Sequence, residues 1–166
     1  MIPFPDKGRL GGVDFGTARI GVAVCDPDRR LSSPLAVRAR GGEAADAAYF
    51  RKVAKEERLV GWVVGLPIHS DGKESESSAR CRLFARWLRQ VTALPTRLFD
   101  ERFTTNVAQS RLNTRRLSRS RQKQRLDAIA AQVLLEAFLE AAELHPNVPP
   151  GIPADGGGEM ANEAID

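Results

Sequence analysis

The sequence predicts an α/β protein built on one mixed sheet of five strands, with helices on both faces. Three observations predict it. Three short, β-branched runs joined by tight turns open the chain and read as an antiparallel meander. Two later apolar runs alternate with helical stretches, as parallel crossover strands do. A long amphipathic helix closes the pattern.

The elements justify themselves in order. Arg9–Phe15 and Ile20–Cys25 are short strands, and Gly16-Thr17-Ala18-Arg19 between them is a hairpin turn. Asp26-Pro27-Asp28 is a second turn. Leu31, Ser33, Leu35 and Val37 then lie on one side of a third strand. Glu43–Arg58 repeats Ala47, Phe50, Val53 and Ala54 at helical spacing. Leu59–Gly65 is a continuous apolar run, as expected of a strand buried on both faces. His69–Lys73 is a loop. Ser75–Val91 puts Ala79, Leu83, Phe84, Trp87, Leu88 and Val91 on one helical stripe, and Trp62 and Trp87 read as core. Thr96–Phe99 is a short strand. Thr105–Leu112 reads as a helix and Asn113–Lys123 as a loop. Leu126, Ile129, Ala130, Val133, Leu134, Ala137, Phe138 and Ala141 define the last helix. Residues 1–143 thus form one domain. The acidic, Pro/Gly-rich tail 144–166 reads as disordered.

Size and composition narrow the function classes. A chain of 166 residues can bury roughly 70% of its unfolded surface and needs no covalent staples. Cys25 and Cys81 stand alone and His69 and His145 are the only histidines, which argues against zinc and disulfide scaffolds. No run is long and apolar enough to cross a membrane, and Met1–Leu10 lacks a signal-peptide core, so a cytoplasmic location without a membrane partner is expected.

Charge is unevenly distributed. The formal +4 is the balance of −4 in the tail and +8 in residues 1–143. Arg102, Arg111, Arg115, Arg116, Arg119, Arg121, Lys123 and Arg125 follow one another without an intervening acid. Such a run is either a solvated loop or a surface for phosphate backbones, and the second reading makes Arg111, Arg116, Arg121, Lys123 and Arg125 substrate-binding residues. Arg102, Thr104 and Thr105 offer phosphate contacts at a helix start, or equally a cap and an ion pair.

Three carboxylates occupy places that carboxylates avoid. Asp14 lies at the end of an apolar strand, Glu101 follows another, and Asp127 sits on the edge of the last helix's apolar stripe. Each has an ordinary reading singly: turn acceptor, partner of Arg102, surface residue. Together, beside a basic segment, they suit Mg²⁺ or Mn²⁺, the hard cations that carboxylate oxygens hold. A pair of such ions about 4 Å apart activates water and stabilises the leaving oxygen of a phosphodiester. Asp26, at the end of the second strand, is a further acid that can approach this site.

Gly12-Val13-Asp14-Phe15-Gly16-Thr17-Ala18-Arg19-Ile20-Gly21 resembles the first motif of the YqgF family. Val64-Gly65-Leu66-Pro67 with Asp71-Gly72 resembles the second, Asp100-Glu101-Arg102-Phe103-Thr104-Thr105 the third, and Asp127-Ala128-Ile129-Ala130-Ala131 the last. The four stand in family order over roughly residues 8–143. The resemblance implies an RNase H-like fold with catalytic, metal-holding acids at Asp14, Glu101 and Asp127. It implies a nuclease of 5′-end maturation of small-subunit rRNA precursors. Phe15 and Ala18 replace the Tyr and Lys common in the family, and Ala130 and Ala131 leave no fourth acid of the resolvase kind. Holliday-junction cleavage is the alternative substrate reading. A non-catalytic nucleic-acid-binding ribosome-assembly factor is a third, needing the basic surface but not the acids. An ATP-handling protein of the actin and sugar-kinase kind is a fourth, disfavoured because those clamp nucleotide between two such domains.

Overall fold

The computed structural model describes residues 3–103 and 119–155. The chain runs β1 (Arg9–Phe15), β2 (Arg19–Cys25), β3 (Ser32–Ala39), α1 (Glu43–Glu56), β4 (Leu59–Leu66), α2 (Glu76–Thr92), β5 (Thr96–Asp100), a 3-10 turn (Glu101–Phe103), α3 (Arg119–Leu144) and β6 (Ile152–Pro153). The sheet order is β3-β2-β1-β4-β5-β6. The meander is antiparallel, and β1-β4 and β4-β5 are parallel.

The hairpin closes where expected, with the Gly16 amide donating to the Arg19 carbonyl at 2.9 Å. Both faces of the central strands are buried, which is why β2 and β4 read as apolar runs. On one face Val13, Ile20, Val22, Trp62, Val64 and Leu98 pack against Phe50, Phe84 and Leu88 of α1 and α2. Phe50 meets Trp62 edge-on at 5.6 Å, and the Trp62 indole N–H donates to Thr92 Oγ1. On the other face Leu10, Ala23, Val63 and Phe99 pack against Leu134, Leu135 and Phe138 of α3. Each fully buried side chain of this size contributes about 1.5–3 kcal/mol.

Ser75 caps α2 by accepting from the Ser78 amide, and the Ser78 hydroxyl donates to the Pro67 carbonyl. That bond ties the start of α2 to the loop leaving β4. The loop itself is a tight turn, with an isolated bridge between Ile68 and Glu74.

Two expectations need correction. The sheet has six strands, because the segment after α3 folds back on β5. Arg97 donates to the carbonyls of Pro149, Pro150 and Gly151, the Ala154 amide donates to the Thr96 carbonyl, and Asp155 pairs with Arg89 at 2.7 Å. Residues 145–155 are therefore ordered, and prolines suit an edge strand that needs few donors. The loop expected up to Lys123 ends earlier, since α3 begins at Arg119; Arg, Lys and Gln are good helix formers. The helix expected over 105–112 and the loop over 113–118 lie outside the described residues, as does the tail beyond 155. No described helix is long and apolar enough to cross a membrane.

Candidate active site

The site lies at the C-terminal ends of β1, β4 and β5, on the face covered by α3. Strand alternation puts it there. Gly12 and Asp14 share a face, and Gly12 abuts α3, where an added Cβ would sit 3.0 Å from Leu135 Cβ. Asp14 pairs in register with Gly21 of β2. A Cβ at Gly21 would collide with the Asp127 carbonyl, so this glycine lets α3 settle beside Asp14. On β4, Gly65 leaves the space that Glu101 fills; a Cβ there would lie 3.0 Å from Glu101 Cδ.

Asp14 and Glu101 are hydrogen-bonded to each other through their carboxyl groups. Two carboxylates in contact share a proton. Burial, then the charge of Asp127, pushes Asp14 up to about 6, while the bond to Glu101 pulls the other way. Burial, then the charges of Asp14 and Asp100, pushes Glu101 up to about 7. Burial, then the negative charge of Glu101 and Asp14, holds the Cys81 thiol at about 12, so it is no nucleophile. Asp127, the third acid, is close enough to act on Asp14, and its Oδ2 is held by Arg19 Nε at 3.0 Å.

The donor set fits a hard divalent ion. Asp14 and Glu101 present oxygen ligands that repel one another when both are charged, and Mg²⁺ is commonly held by one or two carboxylates plus substrate phosphate. Among the described residues no three Asp, Glu, His or Cys side chains converge as a ready cage. Asp14 and Glu101 lie in contact, and Asp127 is held beside them by Arg19.

The remaining sequence-predicted residues divide. Arg102 is exposed and pairs with Asp100 at 2.6 Å, which also accepts from the Arg102 amide, rather than standing as a free phosphate contact. Its guanidinium faces Gly72 of the β4-α2 loop. Arg125 is exposed on α3, and Arg121 and Lys123 lie on that helix's first turns. Thr104, Thr105, Arg111 and Arg116 lie outside the described residues. Asp26 belongs elsewhere: its Oδ1 accepts from the Arg30 and Leu31 amides in the turn at the far end of β2. His69 is exposed in the loop, and its backbone closes the turn with Lys73 and Gly72.

Sequence reasoning gave Arg19 no role. The signal was present, since Arg19 and Gly21 share a face of β2 and Gly21 is the cross-strand partner of Asp14.

A mixed sheet in this order, with carboxylates at the ends of its central strands and helices on both faces, defines an RNase H-like nuclease. Residues 8–141 match the family model described as "RuvX: Holliday junction resolvase". A relative from Rhodopirellula baltica, named "Putative pre-16S rRNA nuclease", is 58% identical over 83% of this chain and 80% of its own length. A relative of the same name from Bradyrhizobium sp. BTAi1 is 41% identical over 82% of this chain and 85% of its own. The solved structure of T. thermophilus RuvC in complex with Holliday junction substrate shares the fold, with a TM-score of 0.54, at 15% identity, over 88% of this chain and 99% of that one. The chain belongs to the RuvX family, also called YqgF, a family of nucleases.

Proposed function

We propose that this protein is a metal-dependent nuclease that hydrolyses phosphodiester bonds of structured RNA in the 5′-end maturation of pre-16S rRNA. The Asp14–Glu101 carboxyl pair carries the mechanism, and the relatives' shared name carries the substrate. Asp14 and Glu101 would hold Mg²⁺ or Mn²⁺, with Asp127 as the further ligand. Bound there, the metal would supply Lewis acidity to the phosphoryl group and offset the negative charge of the breaking bond.

The chain's own residues do the rest. Cation and proton compete for the pair, so metal binding is expected to weaken as pH falls through the range in which the metal-free Asp14 and Glu101 titrate. Arg19 holds the Asp127 carboxylate in place beside the pair. Lys and Arg side chains from Arg111 to Arg125 neutralise backbone phosphates and bring the strand to the carboxylates.

Cleavage of a DNA four-way junction is the second reading, favoured by the family model's own description. Symmetric cutting of two strands calls for a two-fold pair of subunits.

One assay separates these readings. Wild type and Asp14→Asn are compared on labelled precursor rRNA and on a four-way DNA junction, with Mg²⁺, with Mn²⁺ and with chelator. The expected result is cleavage of the RNA alone, abolished by chelator and lowered about 100-fold or more in Asp14→Asn. Paired cuts in the junction would assign the second reading. Full activity in Asp14→Asn would overturn the mechanism, and activity in neither substrate would favour a binding factor.

A further inference from the structure

On the opposite face of the sheet, behind the carboxylate pair, lies a cavity of about 360 Å³ lined by Phe15, Ile20, Arg40, Arg80, Leu83 and Trp87 among others. Its floor is aromatic. Phe15 stacks on Phe84 at 4.3 Å with the planes 20° apart, and Trp87 tilts against Phe84 at 5.5 Å. Leu83 forms an open apolar wall, 63% exposed. Two exposed arginines stand over it. Arg40 lies over the Phe15 ring at 4.9 Å, and Arg80 makes a solvent-exposed contact to Glu76 at 3.7 Å. Of the two acids at the rim, Asp46 is buried and taken up by Arg38 and the Gly41 amide. Glu43 is the other acid of the lining.

We propose that this cavity binds one unpaired nucleobase of the substrate strand. Its volume is at the lower end of the range for small-ligand sites and holds a base with its sugar. Flat aromatic faces beside guanidinium groups are how proteins take up single-stranded bases, by stacking and by contact to the flanking phosphates. Phe15 directly follows Asp14, so the cavity and the carboxylates sit back to back at the end of β1. A strand crossing the Gly16–Arg19 turn meets the carboxylates on one face and the cavity on the other. The base site therefore selects a nucleotide that is not paired near the cut. This rests on the nuclease reading above for its purpose, but not for its measurement.

Trp87 lines the cavity and Trp62 is fully buried, so tryptophan emission reports on the site. The full chain is titrated with a short single-stranded RNA of mixed sequence and with the same RNA annealed to its complement. The expected result is quenching by the single strand only, with Kd raised about tenfold in Leu83→Glu and in Arg40→Ala. Thermal melting of both variants confirms that they fold, and both positions are exposed. Asp14→Asn is expected to keep the quench. No quenching, equal quenching by duplex, or an unchanged Kd in Leu83→Glu would overturn the proposal. If Asp14→Asn cleaves like wild type while the quench behaves as expected, the cleavage mechanism fails and the base site stands. Normal metal-dependent cleavage without quenching gives the reverse.

Discussion

Asp14 and Glu101 sit where a folded chain gains least from charge, and the consequence can be measured without substrate. In the unfolded chain they titrate near their ordinary values of 3.8 and 4.5, whereas in the fold they titrate at about 6 and about 7. Between those limits the folded pair keeps protons that the unfolded chain has released. Unfolding therefore releases protons, and stability falls as pH rises through that window. Below it both states are protonated and above it both are charged, so the slope vanishes at either side. The metal-free protein is expected to melt at a higher temperature near pH 5 than near pH 7.5, other groups being equal. Asp14→Asn removes one charge of the pair, so it should flatten that slope and stabilise the protein at neutral pH by about 1 kcal/mol or more. Melting curves of both proteins across this range, in chelator, provide the check. A slope unchanged in Asp14→Asn would mean that the two carboxyl groups do not share a proton.

At the level of elements, what held the site together was partly legible in the sequence. The short, β-branched run placed Asp14 at the end of an apolar strand, and the helical period of the last helix placed Asp127 at the edge of its stripe. Chain order alone could not show that Arg19 reaches Asp127, because the contact exists only once α3 lies across β2. Likewise β6 was hidden because its anchor, Arg97, lies more than fifty residues earlier, and proline-rich sequence has no periodicity to read. These two contacts make opposite expectations. Gly21→Ala forces a Cβ into the Asp127 carbonyl, so α3 must move away from β2. It should cost about 1–3 kcal/mol and lower cleavage per folded molecule. Arg97→Ala frees the edge strand at the other end of β5 from Glu101. It should cost about 1–3 kcal/mol and leave cleavage per folded molecule unchanged. Denaturant melts paired with activity at matched folded fractions separate the two; equal loss of activity in both would mean that the site tolerates no slack anywhere in the sheet.

Over the whole molecule, charge is organised along the chain. The body carries +8 and the last 23 residues carry −4, and of the eight cations from Arg102 to Arg125 the last four lie on α3, the helix that brings Asp127 to the carboxylate pair. In the proposed function, attraction for a polyanion and cleavage of it are covalently adjacent but physically separable: the cations would act through released counterions, the carboxylates through a bound divalent ion. If six or more of those cations meet phosphates, affinity for precursor RNA should fall about 10³-fold or more between roughly 50 and 200 mM monovalent salt. Replacing Arg121 and Lys123 by Gln should reduce the slope of log affinity against log salt by about 2. Asp14→Asn should leave that slope as it is, since it removes no cation. Binding isotherms at several salt concentrations with Ca²⁺ in place of Mg²⁺ measure both. A slope that ignores Arg121 and Lys123 would move the nucleic-acid surface off this helix. The exposed arginines around the aromatic cavity, Arg40 and Arg80, would then be the cations that carry the strand to the site.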